Sequence, residues 1–127
     1  MAVTQGFHHV GLSIFNMEAT RDFFIQVLGF VEVGSKPDYP AVFVSDGHTM
    51  ITLWQTKSNA RPFDRKNQVG LHHIALKVGQ NLASVYAQCA QAKGVTVDFA
   101  PEPLGESGLQ HCMLFIPGGI RLELVSA

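Results

Sequence analysis

Phe7-His8-His9-Val10-Gly11-Leu12-Ser13-Ile14 returns 64 residues later as Leu71-His72-His73-Ile74-Ala75-Leu76-Lys77-Val78. The two stretches share a large apolar lead, a histidine pair, and aliphatic residues alternating with small or polar ones. A repeat at fixed spacing marks a chain built from copies of one supersecondary unit. Apolar residues at every second position make each copy a strand.

A helical pattern follows each strand. The first runs from about Met17 to Leu28, with Asn16 as N-cap and Gly29 as its stop. The second runs from about Leu82 to Lys93, between Asn81 and Gly94. Their inward stripes are Phe23, Phe24, Val27 and Leu28, then Leu82, Val85, Tyr86 and Cys89. Each half closes with strand-like runs around a glycine turn: Asp46-Gly47-His48 before Thr49–Gln55, and Pro117-Gly118-Gly119 before Ile120–Ser126. Each half therefore reads β-α-β-β-β. Module one spans about 7–56, a polar connection 57–70, and module two about 71–127, within a single domain 1–127. Two small sheets, each covered on one side by its helix, define an α+β protein.

Composition narrows the function. The chain has 127 residues, 46% hydrophobic and 15% charged, which suits a packed core and excludes a disordered chain. A net charge of −1 disfavours a nucleic-acid surface, which needs a basic patch. Arg61, Arg65 and Lys66 read as a solvated loop. No apolar run reaches membrane-spanning length, and the first residues carry no basic head followed by an apolar core, so a cytoplasmic location is expected. Cys89 and Cys112 lack a metal or redox spacing and read as buried reduced thiols.

Strand parity assigns faces. Val10, Leu12 and Ile14 form a helix-side row, as do Ile74, Leu76 and Val78; in the closing strands Ile51 and Leu53, and Ile120, Leu122 and Leu124, do the same. The opposite face then holds His9, Gly11 and Ser13; His73, Ala75 and Lys77; Met50, Thr52 and Trp54; and Arg121, Glu123 and Val125. Aligning Gly47 with Gly118 sets Thr52 opposite Glu123 in the repeat. Two histidines and a carboxylate thus share one face, and that donor set suits a divalent first-row metal with open positions. The plain alternative is that His9 and His73 are ordinary edge histidines. His8 and His72 take the helix-side parity and read as polar residues at the strand mouths; His48 reads as a solvated turn residue.

With those residues in view, the chain resembles the vicinal oxygen chelate superfamily of glyoxalases, bleomycin resistance proteins and extradiol dioxygenases. The stretches carrying the resemblance are His9-Val-Gly-Leu-Ser-Ile14, Arg21-Asp-Phe-Phe-Ile-Gln-Val-Leu-Gly-Phe30, His73-Ile-Ala-Leu-Lys-Val78 and Arg121-Leu-Glu-Leu-Val125. The resemblance implies tandem βαβββ modules forming a cupped mixed sheet, helices on the outer face, with His9, His73 and Glu123 as ligands of one divalent ion (iron, manganese, nickel or zinc). It also implies a homodimer, in a superfamily that builds such sites either within one chain or across two.

Departures bear on the reaction. Glyoxalase I and methylmalonyl-CoA epimerase carry Glu or Gln where Thr52 stands, and Gln55 has the wrong parity to replace it. The extradiol dioxygenases carry a tyrosine at the place of Met113, and the turn Ile116-Pro117-Gly118-Gly119 replaces an Asp-Pro-Asp-Gly pattern. If Met113 takes the tyrosine's place, His111 shares its face and is a candidate general acid or base, against a plain role as a strand-edge histidine.

These readings lead to a metal-dependent lyase, isomerase or dioxygenase whose small substrate chelates the ion through two oxygens. Lys77 and Arg121 are candidates to hold an anionic substituent; Trp54, Met50 and Phe115 an apolar wall, with Thr52 and Met113 beside them. Two other readings stay open: a metal-free protein that sequesters an antibiotic or other small molecule, and an interaction domain without metal or pocket.

Overall fold

The computed structural model describes residues 1–79 and 81–126, and divides into two compact units, Met1–Ser58 and Asn59–Ala127. In the first unit β1 (Val10–Ile14) leads through α1 (Met17–Asp22) to β2 (Val31–Lys36), β3 (Ala41–Ser45) and β4 (Met50–Gln55). In the second, β5 (Ile74–Lys77) leads through α2 (Leu82–Ala90) to β6 (Thr96–Pro103), β7 (Gln110–Ile116) and β8 (Ile120–Val125). The sheets have orders β1-β4-β3-β2 and β5-β8-β7-β6. In both, the first strand lies parallel to the last, and the remaining pairs are antiparallel. A parallel pair needs a crossover, here the helix with two strands, while short turns suffice for antiparallel neighbours. The expected β-α-β-β-β order and α+β class are both present.

Burial follows the expected parity in β1, whereas in the closing strands Thr52 and Glu123 on the opposite face are buried too, and Ile74 and Leu76 of β5 are half-buried. Leu12 and Ile14 are buried and Gly11 and Ser13 exposed, while Ile51, Leu53, Leu122 and Leu124 form the core under the helices. Leu82 and Cys89 complete that layer in the second unit, and Phe23 and Phe24 in the first. Turn residues behave as read: the Asp46 carboxylate accepts from the His48 and Thr49 amides at 2.8 and 2.6 Å, and Gly47 takes a φ of +91°.

Both helices need correction. The first is α-helical only to Asp22; Phe23–Val27 is a π-helical turn. The Leu28 amide donates to Phe23 O at 3.2 Å, and the Phe30 amide to Phe24 O at 2.9 Å. The wider turn lets two adjacent aromatics enter the core, with Phe23–Phe24 and Phe24–Phe30 ring centroids 5.9 and 5.2 Å apart. Asn16 caps as expected, accepting from the Ala19 amide at 3.2 Å. The second helix ends at Ala90, not Lys93, because the chain tightens into turns: Ala92 N donates to Cys89 O and Val95 N to Ala92 O. Asn81 offers no side-chain cap; only its carbonyl starts the helix, accepting from Val85 N at 3.1 Å.

Cys89 and Cys112 are free and buried, and burial pushes the Cys89 thiol up to about 11, with Cys112 adding to the shift. A thiol held protonated is a poor nucleophile. Among the described residues no helix is long and apolar enough to cross a membrane.

Leu122 is fully buried in β8, between Leu114 on β7 and Ile74 on β5. Leu122→Ala should cost about 2–5 kcal/mol in urea unfolding; a loss well under 1 kcal/mol would mean the β8 row is not the core of its unit.

Candidate metal centre

Register brings Glu123 beside Ala75 on β5 and Met113 on β7. Ala75 is two residues beyond His73, so the short side chain leaves the carboxylate open to the histidine that leads the strand. His73 Nε2 lies 3.2 Å from Glu123 Oε1, and His111 Nδ1 hydrogen-bonds Oε2 at 2.5 Å. Each carboxylate oxygen therefore meets one imidazole. Glu123 is only 8% exposed, and a buried carboxylate needs such partners. The other side of His111 meets the Phe99 ring, 5.0 Å away between centroids, and its Nε2 lies 3.9 Å from Glu102 Oε1.

The leading histidine pairs repeat one arrangement. His8 and His9 approach through their Nδ1 atoms at 2.9 Å, His72 and His73 at 2.7 Å. Loss of solvation, then the Arg121 and His73 charges, hold His72 below the ordinary histidine value. His8, His9 and His72 are exposed and His73 half-buried, just ahead of β1 and β5.

In the first unit the repeat-related corner is different chemistry. Gly11 faces Thr52 across β1 and β4. The Thr52 hydroxyl accepts from the Trp54 indole at 2.9 Å, and Thr52 is buried. A Cβ on Gly11 would stand 3.2 Å from that hydroxyl oxygen, so a hydrogen is what fits there. Trp54 packs against Tyr39 and Phe43, with ring centroids 4.9 and 6.1 Å away. Met50 is half-buried at the head of β4.

The remaining sequence candidates separate. Lys77 is exposed on β5 and Met113 is buried beside Glu123. Phe115 is exposed, with the Arg65 guanidinium 5.7 Å over its ring. Arg121 is already engaged: its Nε and Nη2 donate to Asp98 Oδ2 at 3.1 and 2.8 Å. Among the described residues no group of three or more His, Cys, Asp or Glu gathers as a metal cage. Within the second unit, the His73–Glu123 pair is what comes together, with His111 behind it.

Phe99, Glu102, Tyr39, Phe43 and Asp98 were not singled out from the sequence. Phe43 pairs with Thr52 across an antiparallel ladder, a neighbour that only the register reveals. Glu102 reaches His111 only because β6 shifts register between Phe99 and Glu102.

Paired βαβββ units with a buried carboxylate beside a leading histidine define a glyoxalase-type α+β protein. The profile of the Glyoxalase/Bleomycin resistance protein/Dioxygenase superfamily matches residues 6–124, and the chain belongs to that superfamily. No curated protein sequence matches it. A glyoxylase/bleomycin resistance protein/dioxygenase domain from Frankia sp. EAN1pec superposes with a TM-score of 0.79 at 18% identity, covering 98% of this chain and 93% of that one. Lactoylglutathione lyase from Agrobacterium tumefaciens gives 0.73 at 16%, covering 99% and 96%. A point mutant of the fosfomycin resistance protein FosX from Listeria monocytogenes, complexed with Mn(II) and 1S,2S-dihydroxypropylphosphonic acid, gives 0.73 at 16%, covering 96% and 90%. At these identities the likeness is one of fold.

The His111–Glu123 contact is testable by itself. Their side chains retain 14% and 11% exposure, so the pair is weakly screened. A double-mutant cycle of His111→Ala and Glu123→Ala should return a coupling of about 1–3 kcal/mol in urea unfolding. Additive losses would mean the contact contributes nothing to stability.

Proposed function

We propose that the protein is a metal-dependent enzyme of the vicinal oxygen chelate type, holding one divalent ion with His9, His73 and Glu123 and acting on a small substrate that presents two oxygens. The observation that carries this reading is the His73 Nε2–Glu123 Oε1 pair, a half-buried nitrogen donor facing a buried oxygen donor. Imidazole nitrogen with carboxylate oxygen is a donor set that first-row divalent ions accept. When bound, the ion supplies Lewis-acid polarisation of substrate oxygens.

The chain's own residues do the rest. His111 holds Oε2 of Glu123, which stops the carboxylate from rotating away from His73, and it stands as the group able to hold or pass a proton. Trp54, with Tyr39 and Phe43 behind it, and Met50 offer an apolar wall, while Thr52 keeps a hydroxyl proton to donate. Met113 and Phe115 offer apolar surface on β7. Lys77 is the cation available to an anionic substituent; Arg121 supports the sheet through Asp98 instead. The same aromatic cluster favours a second reading, a metal-free protein that sequesters an aromatic or antibiotic-like molecule.

Metal analysis separates the two. Protein purified without chelators, or reconstituted anaerobically with iron, manganese, nickel or zinc, should hold about one ion per chain. His9→Ala, His73→Ala and Glu123→Ala should each lose most of it with unchanged far-UV circular dichroism. A hydroxamate or catechol should perturb the spectrum of the reconstituted protein. Absence of bound metal under every condition would leave the sequestering reading.

The protein is further proposed to be a cytoplasmic homodimer. Support comes from the family and from the outer strands β1, β2, β5 and β6, since sheet edges call for cover. Light scattering should report twice the chain mass at micromolar concentration; a monomer there would count against it.

A further inference from the structure

Arg65 belongs to the connection that reads in the sequence as a solvated loop, yet a fixed turn is built around it. The Asp64 carbonyl accepts from the Asn67 and Gln68 amides at 3.2 and 2.8 Å. Its carboxylate accepts from the Lys66 amide at 3.1 Å and from the Asn67 side chain at 2.7 Å, while the Gln68 side chain returns to the Asp64 amide at 2.7 Å. Phe63 closes the loop against Gly70, where a Cβ would stand 2.8 Å from the ring. A polar segment bonded to itself in this way presents its outward side chains from a defined place.

From that turn Arg65 reaches β7, within the same unit. Its guanidinium carbon lies 5.7 Å over the Phe115 ring, within cation–π range, and the residue is half-buried. Phe115 stands directly opposite Arg121 across β7 and β8, so the two share one sheet face. The two guanidinium groups differ in what their donors do. Arg121 gives Nε and Nη2 to Asp98 Oδ2 at 3.1 and 2.8 Å. Arg65 pairs with no carboxylate among the described residues. A ring face holds a guanidinium by its charge and leaves the N–H fork for an oxygen acceptor. Lys77 is a separate cation, since its partner Val125 lies about 13 Å along β8 from Arg121.

We propose that Arg65, backed by the Phe115 ring and flanked by Arg121, forms an oxyanion subsite on the second unit that takes a carboxylate or phosphoryl group of a small ligand. A cation with its place fixed and its donors free is what bidentate recognition of such a group requires. The subsite goes beyond the metal reading and does not depend on it, because none of the three residues is a proposed ligand of the ion. Phe115 holds the guanidinium over the sheet, and Arg121 adds charge from a position that Asp98 keeps fixed.

The test is a proton–nitrogen-15 titration of the full chain, freed of metal by a chelator and gel filtration, with inorganic phosphate and separately with acetate. Sodium chloride holds the ionic strength constant. The Arg65 Nε–H resonance and the Phe115 and Arg121 amides are the readout, and at least one of the two anions should shift them saturably. Tighter binding of phosphate would identify the group as phosphoryl, and tighter binding of acetate as carboxylate. Arg65→Gln should weaken the binding about 10-fold or more. Phe115→Leu, which keeps the charge and removes the ring, should weaken it about two- to fivefold. Lys66→Gln, which removes a neighbouring charge from the same turn, should stay within about twofold of the parent. Circular dichroism should be unchanged in all three variants. Shifts no larger than sodium chloride alone produces, or Arg65→Gln binding like the parent, would overturn the proposal. Lys66→Gln as weak as Arg65→Gln would overturn it too, since diffuse charge rather than a site would then be at work. Every one of these outcomes leaves the metal reading where it stands.

Discussion

Parallel pairing of the first strand with the last is the constraint on which the candidate site depends. It seats Gly11 beside Thr52 in one unit and Ala75 beside Glu123 in the other. Because side chains alternate, that register also decides which face is greasy. A slip of one residue would carry Glu123 to the helix side, among Leu114, Leu122 and Leu124, where an unpaired carboxylate is costly. The buried leucine rows and the placement of Glu123 are thus two consequences of one register.

The two units have kept that frame and diverged in its chemistry. Across from Gly11 the first unit carries a hydroxyl, already accepting from an indole, and near it a cluster of aromatic rings. The second carries a carboxylate with one imidazole at each oxygen. Charge is concentrated in one copy and apolar surface in the other. The residue opposite each site position is small, Gly11 in one unit and Ala75 in the other. In the first unit a Cβ on Gly11 would stand 3.2 Å from Thr52 Oγ1.

Irregular backbone completes the second unit. Phe99 pairs with Met113 and Glu102 with His111, so four residues on β6 (99–102) span three on β7 (111–113). A regular strand would put residues 99 and 102 on opposite faces. The extra residue of a bulge lets both address His111, one through its ring and one through its carboxylate. The π-helical turn at Phe23–Val27 does comparable work in the first unit, widening the helix so that adjacent aromatics both reach the core.

The sequence by itself determined the repeat, the β-α-β-β-β order, the strand faces and the leucine rows. Those follow from apolar period and turn chemistry, which are local properties of the chain. Parity also set His9, His73 and Glu123 on one face, while His111 joined them only on the condition that Met113 takes the place the resemblance gives it. Tertiary structure alone decided that Glu123 is bracketed by two imidazoles, that Arg121 is engaged by Asp98, and that Thr52 is engaged by Trp54. Those outcomes depend on which strands lie side by side, in what register, and where a bulge interrupts it. The end of the second helix and the π-turn escaped for a related reason: one peptide bond more or less in a turn is set by what the side chains must pack against, not by the propensities of the residues in it.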